Sequence, residues 1–162
     1  MTAELPGDLQ AWAERLRQVH YPAERNEVEA HVTLFRALPP SSEAELGDAL
    51  AAAARRHPPV PARLEGVMAL GGGTALRIVS PAMSTLRGDL AERFHGLLSS
   101  QDQHAPRLHV TVQNKVPDKE ASTLQAELVR TLKPRDFRFP GLALYRYRGG
   151  PWDPVKRWSF RG

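Results

Sequence analysis

Two short stretches of this chain set a proton-transferring side chain beside a hydroxyl: His31-Val32-Thr33-Leu34 and His109-Val110-Thr111-Val112. Histidine, with an ordinary pKa near 6.5, can accept or donate a proton close to neutrality. Strand side chains alternate between faces, so His31, Thr33 and Phe35 are expected on one face of the first strand. By the same alternation His109, Thr111, Gln113 and Lys115 share the equivalent face of the second. Residues two apart on a strand lie roughly 6.5–7 Å apart, and at that spacing an imidazole and a hydroxyl can bracket a phosphate. If both faces line one cleft, the chemistry is displacement at phosphorus. One neutral imidazole takes a proton from the attacking oxygen, and the other, as imidazolium, gives one to the leaving oxygen. Each transfer contributes on the order of 10²–10⁴ in rate, and the threonine hydroxyls can donate to the non-bridging oxygens where charge builds. This scheme calls for no metal and no cofactor. Neither motif carries His-Glu-x-x-His, His-x-His or a His/carboxylate cluster around it.

The motifs stand 78 positions apart, and that shift aligns more than a tripeptide. It sets Pro39 on Pro117, Leu46 on Leu124 and Leu50 on Leu128, and, going backward, Trp12 on Leu90, Leu16 on Phe94 and Val19 on Leu97. Each copy then consists of a helix, a polar loop, a histidine strand, a proline turn and a second helix. The expected fold is α+β and bilobal, with antiparallel-type sheets lining a central cleft and helices outside. Residues 1–162 form a single domain of two pseudo-symmetric lobes, the first motif near 31–34 and the second near 109–112.

The elements that must position these residues follow from pattern and punctuation. A strand is expected at Thr2–Leu5, then a helix from Asp8 with Leu9, Trp12, Leu16 and Val19 inward. The strand His31–Phe35 follows, and Ser42-x-x-Glu45 is a capping box for a helix burying Leu46, Ala49, Leu50, Ala53 and Ala54. Strands at Ala62–Ala69 and Thr74–Val79 flank Gly71-Gly72-Gly73. That triplet is expected to be a hairpin turn rather than a phosphate loop, since no Lys-Ser/Thr follows it. Ser80-Pro81 opens a helix with Met83, Leu86, Leu90, Phe94 and Leu97 on one face. A strand at Leu108–Val112, a helix after Pro117-Asp118 with Leu124, Leu128 and Leu132 inward, and strands near Phe137–Arg146 and Val155–Phe160 complete the chain.

Composition narrows the class. The 162 residues are 41% hydrophobic, enough for a substantial core. No apolar run reaches membrane-spanning length, and "MTAELPGDLQ" lacks the regions of a signal peptide, so a soluble, cytoplasmic, monomeric protein is expected. Zero cysteines remove disulfides and thiolate chemistry. Lys+Arg 22 against Asp+Glu 18 gives a net charge of +4, which mildly favours an anionic partner without the excess of a DNA-coating protein.

The two H-x-T-hydrophobic motifs, with "RNEVEAHVTLFRALPP", "HVTVQNKV" and "YRGGPW" around them, resemble the 2H phosphoesterase superfamily over nearly the whole chain. More specifically, the chain resembles bacterial 2′-5′ RNA ligase-like and cyclic phosphodiesterase proteins. The resemblance implies a bilobal fold with a central cleft, and action on 2′,3′-cyclic phosphates or 2′-5′ linkages at RNA ends or on small nucleotides. His31 would be the acid on the leaving 3′-oxygen and His109 the base activating water, with the roles exchanged in the ligating direction. His31, Thr33, His109 and Thr111 are thus the catalytic candidates, and Phe35, Gln113 and Lys115 the substrate-binding ones.

Blander readings stand beside these. Phe35 is core or a base-stacking ring, and Lys115 a phosphate ligand or a solvated strand end. Arg36 points away from His31 if the strand is regular. The run Tyr145-Arg146-Tyr147-Arg148 suits RNA, but a half-buried antiparallel edge gives the same pattern and is the better fit. His20, His57, His95 and His104 lack a matching threonine and are assigned to structure or surface. The rival function is a non-catalytic module that binds RNA ends or nucleotides in the same cleft.

Overall fold

Short apolar-alternating segments separated by proline and glycine assemble edge to edge because their backbone groups need partners. In the computed structural model, which describes residues 1–147, 149 and 151–162, they form one sheet. Its strands are β1 (Thr2–Ala3), β2 (Val32–Thr33), β3 (Val60–Leu70), β4 (Gly73–Val79), β5 (His109–Asn114), β6 (Arg135–Phe139), β7 (Gly141–Tyr147) and β8 (Trp152–Ser159). They lie in the order β6-β3-β4-β5-β2-β1-β7-β8, with every pairing antiparallel. Four helices accompany them: α1 (Gly7–His20), α2 (Glu43–Arg56), α3 (Pro81–Arg93) and α4 (Asp118–Thr131). The fold is α+β with antiparallel pairing, as the sequence implies. No helix among the described residues is long and apolar enough to cross a membrane. Arg148 of the Tyr/Arg run and Gly150 of the turn after it lie outside the described residues.

The two histidine motifs meet at the centre of the sheet, where β2 pairs with β5 through Val32 and Val110. Both valines are fully buried, in one cluster with Leu9, Leu50, Leu86 and Leu124 from the four helices. The strand order is matched in kind about this seam, β4 then β3 on one side and β1 then β7 on the other. β3, which follows α2, pairs with β4, while β7, which follows α4 and β6, pairs with β1. Each half of the chain therefore lends a strand to the other's flank, and a single continuous sheet results.

Several expected elements are redrawn by local backbone chemistry. The strand expected over Phe137–Arg146 is two strands, because Pro140 has no N–H to continue a ladder. β6 pairs with β3 at one end of the sheet, and β7 pairs with β1 toward the other. The expected strand His31–Phe35 shrinks to β2, since the amides of Leu34 and Phe35 both donate to the Met1 carbonyl, at 3.1 and 3.3 Å. The capping box at Ser42 is not formed. A 3₁₀ turn over Pro40–Ser42 directs the Ser42 hydroxyl to donate to the Pro39 carbonyl instead, at 2.7 Å. Ser80 does cap α3, its Oγ accepting from the Met83 amide at 3.1 Å. α1 buries Leu9, Ala13 and Arg17, and Val19 is 74% exposed rather than inward. Leu97 likewise lies at the surface, beyond the end of α3. The glycine triplet joins β3 to β4 as a tight turn, with Gly72 at φ +72.

Candidate active site

The Val32–Val110 pairing fixes the site. Extended one residue each way, the antiparallel register sets His31 opposite Thr111 and Thr33 opposite His109. All four line one cleft of about 1080 Å³. The two imidazoles occupy diagonal positions across the seam, on residues roughly 7–8 Å apart. That gap fits a tetrahedral phosphorus between two imidazole nitrogens.

Each histidine is oriented by the same local device. Nδ1 of His31 lies 2.7 Å from the Glu29 carbonyl oxygen, and Nδ1 of His109 lies 2.6 Å from the Arg107 carbonyl oxygen. A carbonyl only accepts, so each Nδ1 carries the proton and donates it, which leaves Nε2 of both rings for chemistry. Trp152 of β8 packs on the His31 ring, with centroids 5.2 Å apart and planes at 39°, and Tyr145 backs Trp152 at 5.7 Å. Burial lowers the pKa of His31 below its ordinary 6.5. The hydrogen bond to Glu29 opposes the shift, and the nearby charges of Arg17, the chain's amino group and His109 add to it.

The remaining sequence-predicted binding residues do not line the cleft. Phe35 is 2% exposed, and its ring lies under the Arg87 guanidinium at 4.4 Å. Gln113 is buried and accepts from the Thr74 hydroxyl at 2.9 Å. Lys115 is exposed, beyond the end of β5, in a left-handed conformation with φ 59. The reason is a bulge. β5 pairs Thr111 with Ala75 and Gln113 with Thr74, so Val112 is an extra residue, and the alternation reverses after it. Asn114 therefore takes the cleft position expected of its neighbours. The doubled bond at the Met1 carbonyl breaks β2 in the same place, so Arg36 lines the cleft where Phe35 was expected. Arg36 and Asn114 are themselves 78 positions apart.

Comparison with known proteins shows the family and the fold. The family model described as the 2′-5′ RNA ligase superfamily matches residues 5–151. The chain belongs to this superfamily. A solved structure, TT0787 of Thermus thermophilus, shares the fold with a TM-score of 0.66 and 17% sequence identity. That match covers 99% of this chain and 96% of TT0787. No curated protein matches the sequence.

Proteins of the 2′-5′ RNA ligase superfamily are generally phosphoesterases or ligases, and the rest of this member's cleft is suited to an anion. Arg25, Arg36 and Arg107 line it together with His104, set against Glu27 and the buried Asp102. His104, assigned above to structure or surface, is thus a cleft residue, and Tyr147 and Trp152 complete the wall. Arg146, between the two tyrosines, is engaged by the Glu43 carboxylate at 2.6 and 3.0 Å, as suits an antiparallel sheet near its edge. Among the described residues no group of three His, Cys, Asp or Glu side chains could hold a metal ion. The loops that carry Arg25 and Arg107 have no periodicity to place them. Their one signal in the sequence is position, a few residues ahead of each histidine.

Proposed function

We propose that this superfamily member is a metal-independent phosphodiesterase acting on 2′,3′-cyclic phosphate or 2′-5′-linked ribonucleotides, with His31 and His109 as its proton-transfer pair. The observation that carries this is the matched pair of Nδ1–H donations to the Glu29 and Arg107 carbonyls, which frees Nε2 of both rings beside one cleft. Water attacks phosphorus and loses a proton to one Nε2, while the bond to the ribose 3′-oxygen breaks and that oxygen receives a proton from the other, leaving a 2′-phosphate. Thr33 and Thr111 hydroxyls donate to the non-bridging oxygens. Arg25, Arg36 and Arg107 hold the substrate's charge, in place of Lys115. Burial and the nearby Arg17 charge favour uncharged His31, which suits it to accept the proton and His109 to donate one. This reverses the roles that the family resemblance implies. In ligation a ribose 5′-hydroxyl takes the place of water as the nucleophile, and a 2′-5′ linkage forms as the bond to the 3′-oxygen breaks. A cytoplasmic monomer acting on RNA ends or small nucleotides fits this reading.

The test is product analysis on 2′,3′-cyclic mononucleotides and 2′-5′-linked dinucleotides, with EDTA present throughout. Ring opening to a 2′-phosphate is expected, and His31→Ala or His109→Ala should each lower kcat by about 10²–10⁴. Full activity in both variants would overturn the mechanism. Tight binding of the cyclic phosphate with no turnover would favour the non-catalytic module.

A further inference from the structure

α1 and α3 each bury one arginine at the wall of the cleft, a feature that apolar periodicity does not anticipate. Arg17 and Arg87 are each 5% exposed, and both line the cleft. Each guanidinium lies over an aromatic ring, Arg17 over Tyr21 at 4.3 Å and Arg87 over Phe35 at 4.4 Å. Burial lowers the pKa of both from the ordinary arginine value. A buried cation is retained only where its N–H groups find acceptors, and the acceptors here have a pattern.

Arg17 donates through Nη1 to the Thr111 carbonyl at 2.8 Å, and through Nη2 to Asn26 Oδ1 at 2.7 Å and the Val28 carbonyl at 2.8 Å. Asn26 and Val28 belong to the segment that leads into His31, and Thr111 belongs to the other motif. Arg87 donates through Nε to the Leu34 carbonyl at 3.4 Å and through Nη2 to the Asp102 carbonyl. Asp102 belongs to the segment that leads into His109, and Leu34 directly follows Thr33. Each arginine thus ties the approach to one histidine to the opposite motif. The two reach this arrangement from positions that the 78-residue shift does not align, since Arg17 falls on His95 and Arg87 on Leu9.

We propose that Arg17 and Arg87 are a matched pair of positioning residues that lock the two histidine motifs into one geometry across the seam. The proposal rests on the two-histidine reading of the site. β2 is only two residues long and meets β5 at a single pair, so the ladder alone holds the two motifs weakly. The planar fork of a guanidinium spreads five N–H donors over separated acceptors, where an ammonium is a compact point charge. Arg17 has a second effect. The groups around His31 are Arg17 from α1, the chain's amino group beside β1, His109 from β5 and the Trp152 ring from β8. The hydrogen bonds of Arg17 given above run to neutral oxygens, and its charge, which Tyr21 and the Glu14 carboxylate also face, adds to the lowering of the His31 pKa. Glu14, on the same helix, is engaged by the Ala30 amide and the Gln10 side chain.

The test uses Arg17→Lys, Arg17→Met, Arg87→Lys and Arg87→Met in the full chain. Thermal melts establish folding. NMR titration then follows the His31 and His109 ring signals without substrate, and kcat and KM are measured on the 2′,3′-cyclic substrate. Folded lysine variants should lose ten- to a hundredfold in kcat with KM within about twofold, since small misplacements cost that much. Arg17→Lys should leave the His31 midpoint near that of the parent, whereas Arg17→Met should raise it. Should the methionine variants not fold, the lysine variants still decide through the kcat-against-KM split. Unchanged kcat in folded lysine variants, or an unchanged His31 midpoint in folded Arg17→Met, would overturn the proposal. If the parent protein turned over none of the substrates, the reading of the function would fail, while the NMR arm would still test the positioning role of Arg17.

Discussion

Asp102 is the residue whose removal most directly tests how the segment ahead of His109 is held. It is 4% exposed, and its carboxylate accepts from the Arg36 amide at 3.0 and 3.1 Å, the Ala37 amide at 3.2 Å and the Ser99 hydroxyl at 2.9 Å. These bonds join the approach to the second histidine to the segment leaving the first motif. Asp102→Ala strips the acceptor from two amides and a hydroxyl. A hydrogen bond to a charged group contributes about 1.5–3 kcal/mol, and the Arg87 guanidinium loses its nearby negative charge as well. The sum is about 3–4 kcal/mol. For a chain of this length a kcal/mol moves Tm by about 2–4 °C, so a fall of roughly 6–16 °C is expected. Asp102→Asn, which keeps one acceptor oxygen, should fall about half as far. Calorimetry at pH 7 measures both. A decrease under about 2 °C in the alanine variant would refute this account of the loop, and a larger fall in Asn than in Ala would show that geometry rather than acceptor count governs it.

Other outcomes follow from the site and the strands beside it. Gly73→Ala would drive a Cβ into the Gln113 carbonyl oxygen and to 2.8 Å from Asn114 Cα, both backbone atoms. Stability should drop by at least about 1–3 kcal/mol, and KM should rise as Asn114 is displaced, both measured on the purified variant. Asn114→Ala should raise KM severalfold while Lys115→Ala leaves it within about 1.5-fold, and the opposite ranking would contradict the bulge assignment. Because the folded His31 pKa lies below its unfolded value of about 6.5, the unfolded chain takes up that proton first as pH falls. Urea midpoints should therefore decline as pH drops from about 6.5 through the folded His31 value, and His31→Gln should flatten that decline. In the same range kcat/KM should hold its value below pH 6.5 before its acid limb appears, and an acid limb above 6.5 would count against His31 as the proton acceptor.

The amino-acid string by itself determined the two H-x-T motifs, their spacing of 78, the four-helix alternation and the antiparallel class. Those features are local or periodic: helix faces recur every three or four residues, strands alternate, and Pro39, Pro117 and Ser80 punctuate the elements in place. Family membership was legible for the same reason, since it rests on residues close to each histidine. Tertiary structure decided what depends on partners distant in sequence. Whether the two strands touch is set by β2 pairing with β5 across 78 positions. The Val112 bulge exists only relative to β4, and it moved the binding wall from Gln113 and Lys115 to Asn114. Phe35 left the cleft because the Met1 carbonyl drew two successive amides, and Pro140 sent one expected strand to two parts of the sheet. Arg17 and Arg87, charged residues on helix faces that would read as solvated, are buried because the carbonyls that receive them come from opposite motifs. No local pattern encodes an acceptor that only the folded chain brings into reach.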